Sequence, residues 1–109
     1  MSNLEQEKQL LDGLALNDGA VIESIYRDNY PVIQSFILNN NGNSDEARDI
    51  FQEAMIVIYE KAVSGNFELN CLLKTYLYSV CRRHWLKRLH QLQRYGGLVE
   101  NVEETVAVE

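Results

Sequence analysis

The sequence predicts an all-α fold, a compact bundle of about four helices that ends in one long basic helix. Three observations point there. Every strongly periodic stretch repeats its apolar residues at helical spacing, and none alternates with period two over the length of a strand. Short clusters of Asn, Asp, Gly and Ser divide the chain into segments of ordinary helix length. At 109 residues, 46% of them apolar, the chain suffices for one core and not for two.

A first helix is expected over Leu4 to Leu16, with Leu10, Leu11 and Leu14 on its buried face, before Asn17-Asp18-Gly19 stops it. The second, Ala20 to Leu38, aligns Ile22, Ile25, Tyr26, Ile33, Phe36 and Ile37 in one stripe. Pro31 removes a backbone donor inside it and predicts a kink or a restart. Asn39-Asn40-Asn41-Gly42 forms the next turn, and Asn43 with Glu46 has the spacing of a reciprocal N-cap. The third helix, Asp45 to Val63, buries Ala47, Ile50, Phe51, Ala54, Val57, Ile58 and Ala62. Its opposite side carries Asp49, Gln52, Glu53, Ile56 and Glu60 as one acidic stripe with an apolar centre, readable as a solvated face or as a docking surface.

The linker Ser64 to Asn70, pinned by Phe67 and Leu69, leads into the last helix, which begins at Leu72 and is closed by Gly96-Gly97. Charge is strongly segregated along the chain. Residues 1–73 hold four basic and twelve acidic side chains, residues 74–94 hold six basic and no acidic ones, and residues 95–109 hold four acidic and no basic ones. A basic helix studded with aromatics, on a chain of net charge -6, calls for a polyanionic partner or an acidic neighbour within its own domain. The overall negative field opposes binding to duplex DNA by the chain alone, so another macromolecule would have to present the nucleic acid. These boundaries predict a helical domain over 1–95 and an acidic tail over 96–109.

Several chemistries are unsupported. No phosphate loop, nucleophile elbow or paired-histidine metal motif is present, and His84 and His90 have no carboxylate at helical contact spacing, so a non-enzyme is expected. His84 falls on the face of Leu73, Leu77 and Val80, which predicts a partly buried packing role. Cys71 and Cys81, ten residues apart on what reads as one helix, would be about 15 Å apart, too far for a disulfide. Cys81 with His84 lacks a second ligand pair, so no metal and no cofactor are expected. No run is apolar enough to span a bilayer, and Met1 to Glu7 lacks the order of a signal peptide, which predicts a cytoplasmic protein.

The segments Asp45-Glu46-Ala47-Arg48-Asp49-Ile50-Phe51-Gln52-Glu53-Ala54-Met55-Ile56-Val57-Ile58-Tyr59-Glu60-Lys61 and Leu73-Lys74-Thr75-Tyr76-Leu77-Tyr78-Ser79-Val80-Cys81-Arg82-Arg83-His84-Trp85-Leu86-Lys87-Arg88-Leu89 closely resemble region 2 of bacterial sigma factors of the extracytoplasmic-function type, and the likeness covers about Leu10 to Arg94. Both segments stand in the family's order and at a family-like separation. The resemblance implies docking on the clamp helices of the beta-prime subunit of core RNA polymerase through Asp49, Gln52 and Glu53, with Ile56 and Tyr59 as neighbours. It also implies recognition of the melted minus-ten strand by the linker, including Asn66, and by the exposed part of the last helix, here Lys74, Thr75, Ser79, Arg82, Arg83 and Lys87. Flipped bases of a single strand suit such loop pockets.

Where the family most often has Asn and then an aliphatic residue, this chain has Arg83 and His84. The chain ends before a second, helix-turn-helix domain could begin, so it resembles a region 2 fragment or a truncated relative. Two other functions compete with promoter binding. One is a protein-interaction module held by an anti-sigma factor, and the other is a duplex-binding repressor, disfavoured by the charge and by the lack of a short-helix, glycine-turn, helix pattern.

Overall fold

The computed structural model describes residues 2–92. Four helices account for most of them: α1 (Ser2–Ala15), α2 (Gly19–Leu38), α3 (Ser44–Ser64) and α4 (Leu73–Leu92). No strand occurs among the described residues. The expected end of the last helix at Gly96-Gly97 and the acidic tail lie outside the described residues.

The first three helices end where the sequence supplies a stop. Asn17 adopts a left-handed conformation, with φ 61°, after α1. Asp18 N then donates to Gly13 O and Asn17 N to Leu14 O, the paired bonds that satisfy carbonyls at a helix end. Asn41, with φ 71°, ends α2 in the same way through Gly42 N to Ile37 O. The expected cap of α3 is present in both directions: Glu46 N donates to Asn43 Oδ1, and Asn43 N donates to Glu46 Oε1. Gly65, at φ 78°, closes α3 in the region that glycine tolerates best.

Pro31 produces no restart, because α2 runs through it as one helix. The carbonyl left without its donor belongs to Arg27, and both residues are exposed, so solvent can satisfy that group.

The core is assembled around α3, which packs against all three other helices. Ala47, Ile50, Phe51, Ala54 and Ile58 are buried on it, facing Leu11 and Leu14 of α1, Ile25, Ile33 and Ile37 of α2, and seven residues of α4. Val57 and Ala62, expected inside, are half-buried against this core. Phe51 meets Tyr26 at 4.5 Å and Tyr30 at 5.4 Å between ring centroids, both edge-on.

Trp85 is fully buried, and its indole N–H donates to Asn40 O at 3.0 Å. The turn after α2 must come close to make that bond. A Cβ on Gly42 would collide with Ile37 and lie 2.6 Å from Trp85 Cζ2, which explains why this turn ends in glycine. The α2–α3 turn is thereby clamped onto the C-terminal half of α4.

Candidate docking and nucleic-acid faces

Successive residues of a helix are rotated by about 100°, so steps of three and four stay on one face. On α3 that arithmetic groups Asp49, Gln52, Ile56 and Tyr59, and all four are exposed. The face is more apolar than the sequence suggested. Ile56 is 57% exposed, Tyr59 39% and Val63 53%, the last one turn beyond Tyr59 and not foreseen. Three large apolar side chains in the open on one helix face form a patch that a protein surface would cover, whereas scattered single ones would not.

Glu53 belongs at the edge of that face, and the tertiary structure gives it a different neighbourhood. Its Oε2 accepts from Arg88 Nη2 at 2.7 Å, and its Oε1 lies 3.1 Å from His84 Nδ1. Both partners come from α4. An ionised carboxylate only accepts, so the His84 tautomer that bonds it carries its proton on Nδ1. The three side chains remain partly solvated, with 26% of Arg88, 36% of His84 and 44% of Glu53 exposed, so the cluster contributes about 1 kcal/mol or less to stability. It ties the edge of α4 to that of α3, while the buried side of α4 sets how the helix sits. The carboxylate that His84 lacked within its own helix is supplied from α3.

Cys81 lies beneath this cluster. Burial, and secondarily the charge of Glu53, push its thiol up to about 12, so it stays protonated at neutral pH. Cys71 is exposed in the turn before α4 and not on the helix as expected, because α4 begins only at Leu73; both cysteines are free.

On α4, Thr75, Ser79, Arg83 and Lys87 follow one another at four-residue steps along the outer face. Thr75, Arg83 and Lys87 are exposed and Ser79 is half-buried. Arg83 Nη1 donates to Ser79 Oγ at 2.6 Å, one turn back along the helix, and the side chain is exposed. Four residues that the sequence nominated are thus brought together as a hydroxyl and cation track.

Other nominated residues are separated from this track. Lys74 is exposed at the start of α4, lining a cleft of about 400 Å³ with Glu7, Ser24, Asp28 and Asn29, so its surroundings are acidic. Arg82 is half-buried on the side of α4 one residue round from Arg83. Asn66 is exposed in the linker, where its N–H donates to Ser64 Oγ at 3.3 Å. The linker itself is anchored as expected: Phe67 lies under the Lys61 ammonium, 5.5 Å from the ring, and against Tyr76 at 5.2 Å, and Leu69 packs on the core. A second cleft, about 310 Å³, separates the linker from α1 and is lined by Glu7, Lys8, Leu11, Phe67, Glu68 and Leu69.

Sequence reasoning missed Glu7. Its Oε1 accepts from Leu73 N at 2.6 Å, so a carboxylate from α1 caps α4 across the fold. The signal was a negative one. Leu72, in the capping position of α4, has no side chain able to accept a hydrogen bond, so an acceptor had to come from elsewhere.

Among the described residues, no helix is long and apolar enough to cross a membrane. The family model for sigma-70 region 2 matches residues 25–95, most of α2 and the whole of α3 and α4. Neither a curated protein nor a solved structure matches the chain significantly.

Proposed function

From the chain's membership of the sigma-70 region 2 family, a non-catalytic family that acts in transcription initiation, we propose that it is a cytoplasmic module of the extracytoplasmic-function type with two separate working faces. Core RNA polymerase docks on α3 at Asp49, Gln52, Ile56 and Tyr59, with Glu53 at the rim, against the clamp helices of the beta-prime subunit. The melted minus-ten strand lies along Thr75, Ser79, Arg83 and Lys87 of α4, with the linker around Asn66 accepting an unstacked base. Lys74 and Arg82 flank this path on the α2 side and contribute to the field more than to contact.

The observation that carries the reading is the chemical difference between the two exposed faces. The α3 face offers a carboxylate, an amide and three apolar side chains, which suit a protein partner with complementary cations. The α4 face offers hydroxyls and cations without a carboxylate, which suits phosphates.

The experiment is co-purification with core RNA polymerase followed by binding of single-stranded minus-ten oligonucleotides. A complex that retains the non-template strand in preference to the template strand is the expected result. A chain that neither enters polymerase nor binds a strand through α4 would be left without this function. The apolar patch of Ile56, Tyr59 and Val63 also favours a second protein partner, an anti-sigma factor that covers the same face. Such a regulator would compete with polymerase for the chain in a pull-down, whereas a regulator seated elsewhere would form a ternary complex.

A further inference from the structure

The Glu53 carboxylate stands where the two faces meet. Gln52, its neighbour in sequence, and Ile56, three residues on, belong to the exposed α3 face, while its two oxygens are engaged by His84 and Arg88 of α4. On α4, His84 and Arg88 each follow a residue of the cation track, Arg83 and Lys87, and so lie about 100° round the helix, on the edge turned to α3. In the isolated domain Arg88 is therefore neutralised by Glu53, beside the track and withheld from it.

We propose that Glu53 is a positioning residue that couples the two faces: a cationic side chain of the docking protein takes over the Glu53 carboxylate and releases Arg88 to a phosphate of the strand. The inference rests on the assignment of α3 to polymerase and α4 to single-stranded DNA. Its physical basis is competition for one anion. While Arg88 Nη2 donates to Glu53 Oε2, the guanidinium is held at the α3 edge and its charge is offset by the carboxylate, so a phosphate beside the track must compete with Glu53 for it; each partner that satisfies Glu53 from outside lowers the cost of moving Arg88. Coupling of this kind is reciprocal, so a bound strand that captures Arg88 also leaves Glu53 more available to the docking cation.

The test measures binding of the full chain to a single-stranded minus-ten oligonucleotide across a salt series, without polymerase. Glu53→Gln keeps the shape and removes the charge, and should tighten binding by about fivefold, the lower end of typical coupling energies. It should also steepen the slope of log affinity against log salt by about 0.7, one added phosphate contact for a single strand. Glu60→Gln, which changes net charge equally on the same helix, should leave the slope unchanged. Adding Arg88→Gln to Glu53→Gln should abolish the gain. With polymerase bound, parent and Glu53→Gln should show the same slope. A slope for Glu53→Gln equal to the parent's, in a chain whose circular dichroism shows it folded, overturns the coupling.

If Glu53→Gln does not fold, Arg88→Gln decides the matter: in the polymerase complex it should reduce the slope by about 0.7, and an unchanged slope there overturns the proposal. Arg83→Gln with Lys87→Gln separates the premise from the inference. Undiminished strand binding by that pair sinks the α4 assignment and the coupling with it, whereas lost binding beside an inert Glu53→Gln sinks the coupling alone.

Discussion

Over the described residues helices α3 and α4 are nearly equal in length, 21 and 20 residues, and each buries one side in the same core, yet their exposed sides have opposite characters. The outer side of α3 is acidic at its start and apolar toward its end, from Asp49 through Ile56 to Val63. The outer side of α4 carries hydroxyl groups followed by cations, from Thr75 to Lys87. Two helices that share a core are thereby free to serve different partners. The buried sides determine how the helices sit, and the exposed sides determine what they touch. Glu53 is the exception, because it reaches from one helix to the edge of the other.

The comparison breaks most completely at Trp85, whose burial holds both faces in place. Trp85→Ala removes the largest core side chain and the bond to Asn40 O, and should cost about 3–5 kcal/mol, enough to unfold a marginally stable domain. Chemical denaturation read by circular dichroism would show it, and polymerase and strand binding should fall together. Retention of either one alone would mean that a face survives without the shared core.

Changes confined to one face should part the two activities. Gln52→Ala with Ile56→Ala should weaken polymerase binding by about 2 kcal/mol or more while strand affinity and thermal stability stay at parental values. A fluorescence titration with core polymerase gives the first quantity. Equal binding by the double variant would move the docking site off α3. In the other direction, Arg83→Gln with Lys87→Gln should reduce the slope of log strand affinity against log salt by about 1.4, two contacts at about 0.7 each, with polymerase binding intact. A loss of affinity that is the same at every salt concentration would instead indicate lost stacking or hydrogen bonding.

Smaller effects sharpen how α4 is set. Glu7→Ala removes the carboxylate that caps Leu73 N and should cost about 1 kcal/mol in a urea titration, with increased amide exchange in the first turn of α4. Exchange unchanged at Leu73 would show that solvent replaces the cap without cost. Smallest of all, Tyr30→Phe deletes a buried hydroxyl that has no hydrogen-bond partner, so stability should stay within about 0.5 kcal/mol or rise. A loss above about 1 kcal/mol would reveal a partner for that oxygen.

Much of this was legible in the residues because it depends on local rules. Helical period, the Asn43–Glu46 cap, the asparagine turns and the buried stripe of α3 need only neighbours within a few positions, and the structure has them where the spacing put them, except that Val57 and Ala62 of the stripe are half-buried. The shared faces of α3 and α4 follow from the same arithmetic. Of the kink or restart expected at Pro31, the restart does not occur, since the local rule counts the lost donor but not its exposure, which lets solvent serve the orphaned carbonyl.

The contacts that the sequence did not reveal join residues far apart in the chain. Glu7 with Leu73, Trp85 with Asn40, and Glu53 with His84 and Arg88 span between 31 and 66 residues. By itself the sequence determined four amphipathic helices, the ends of the first three, the segregation of charge and the family to which the pattern belongs. Only the tertiary structure decided that Lys74 faces acidic residues, that Arg88 is neutralised while Arg83 and Lys87 are exposed, and that a glycine must sit under Trp85. The physical reason is that a helix's period fixes which residues share a face, whereas the identity of the residues across from that face depends on how the helices pack.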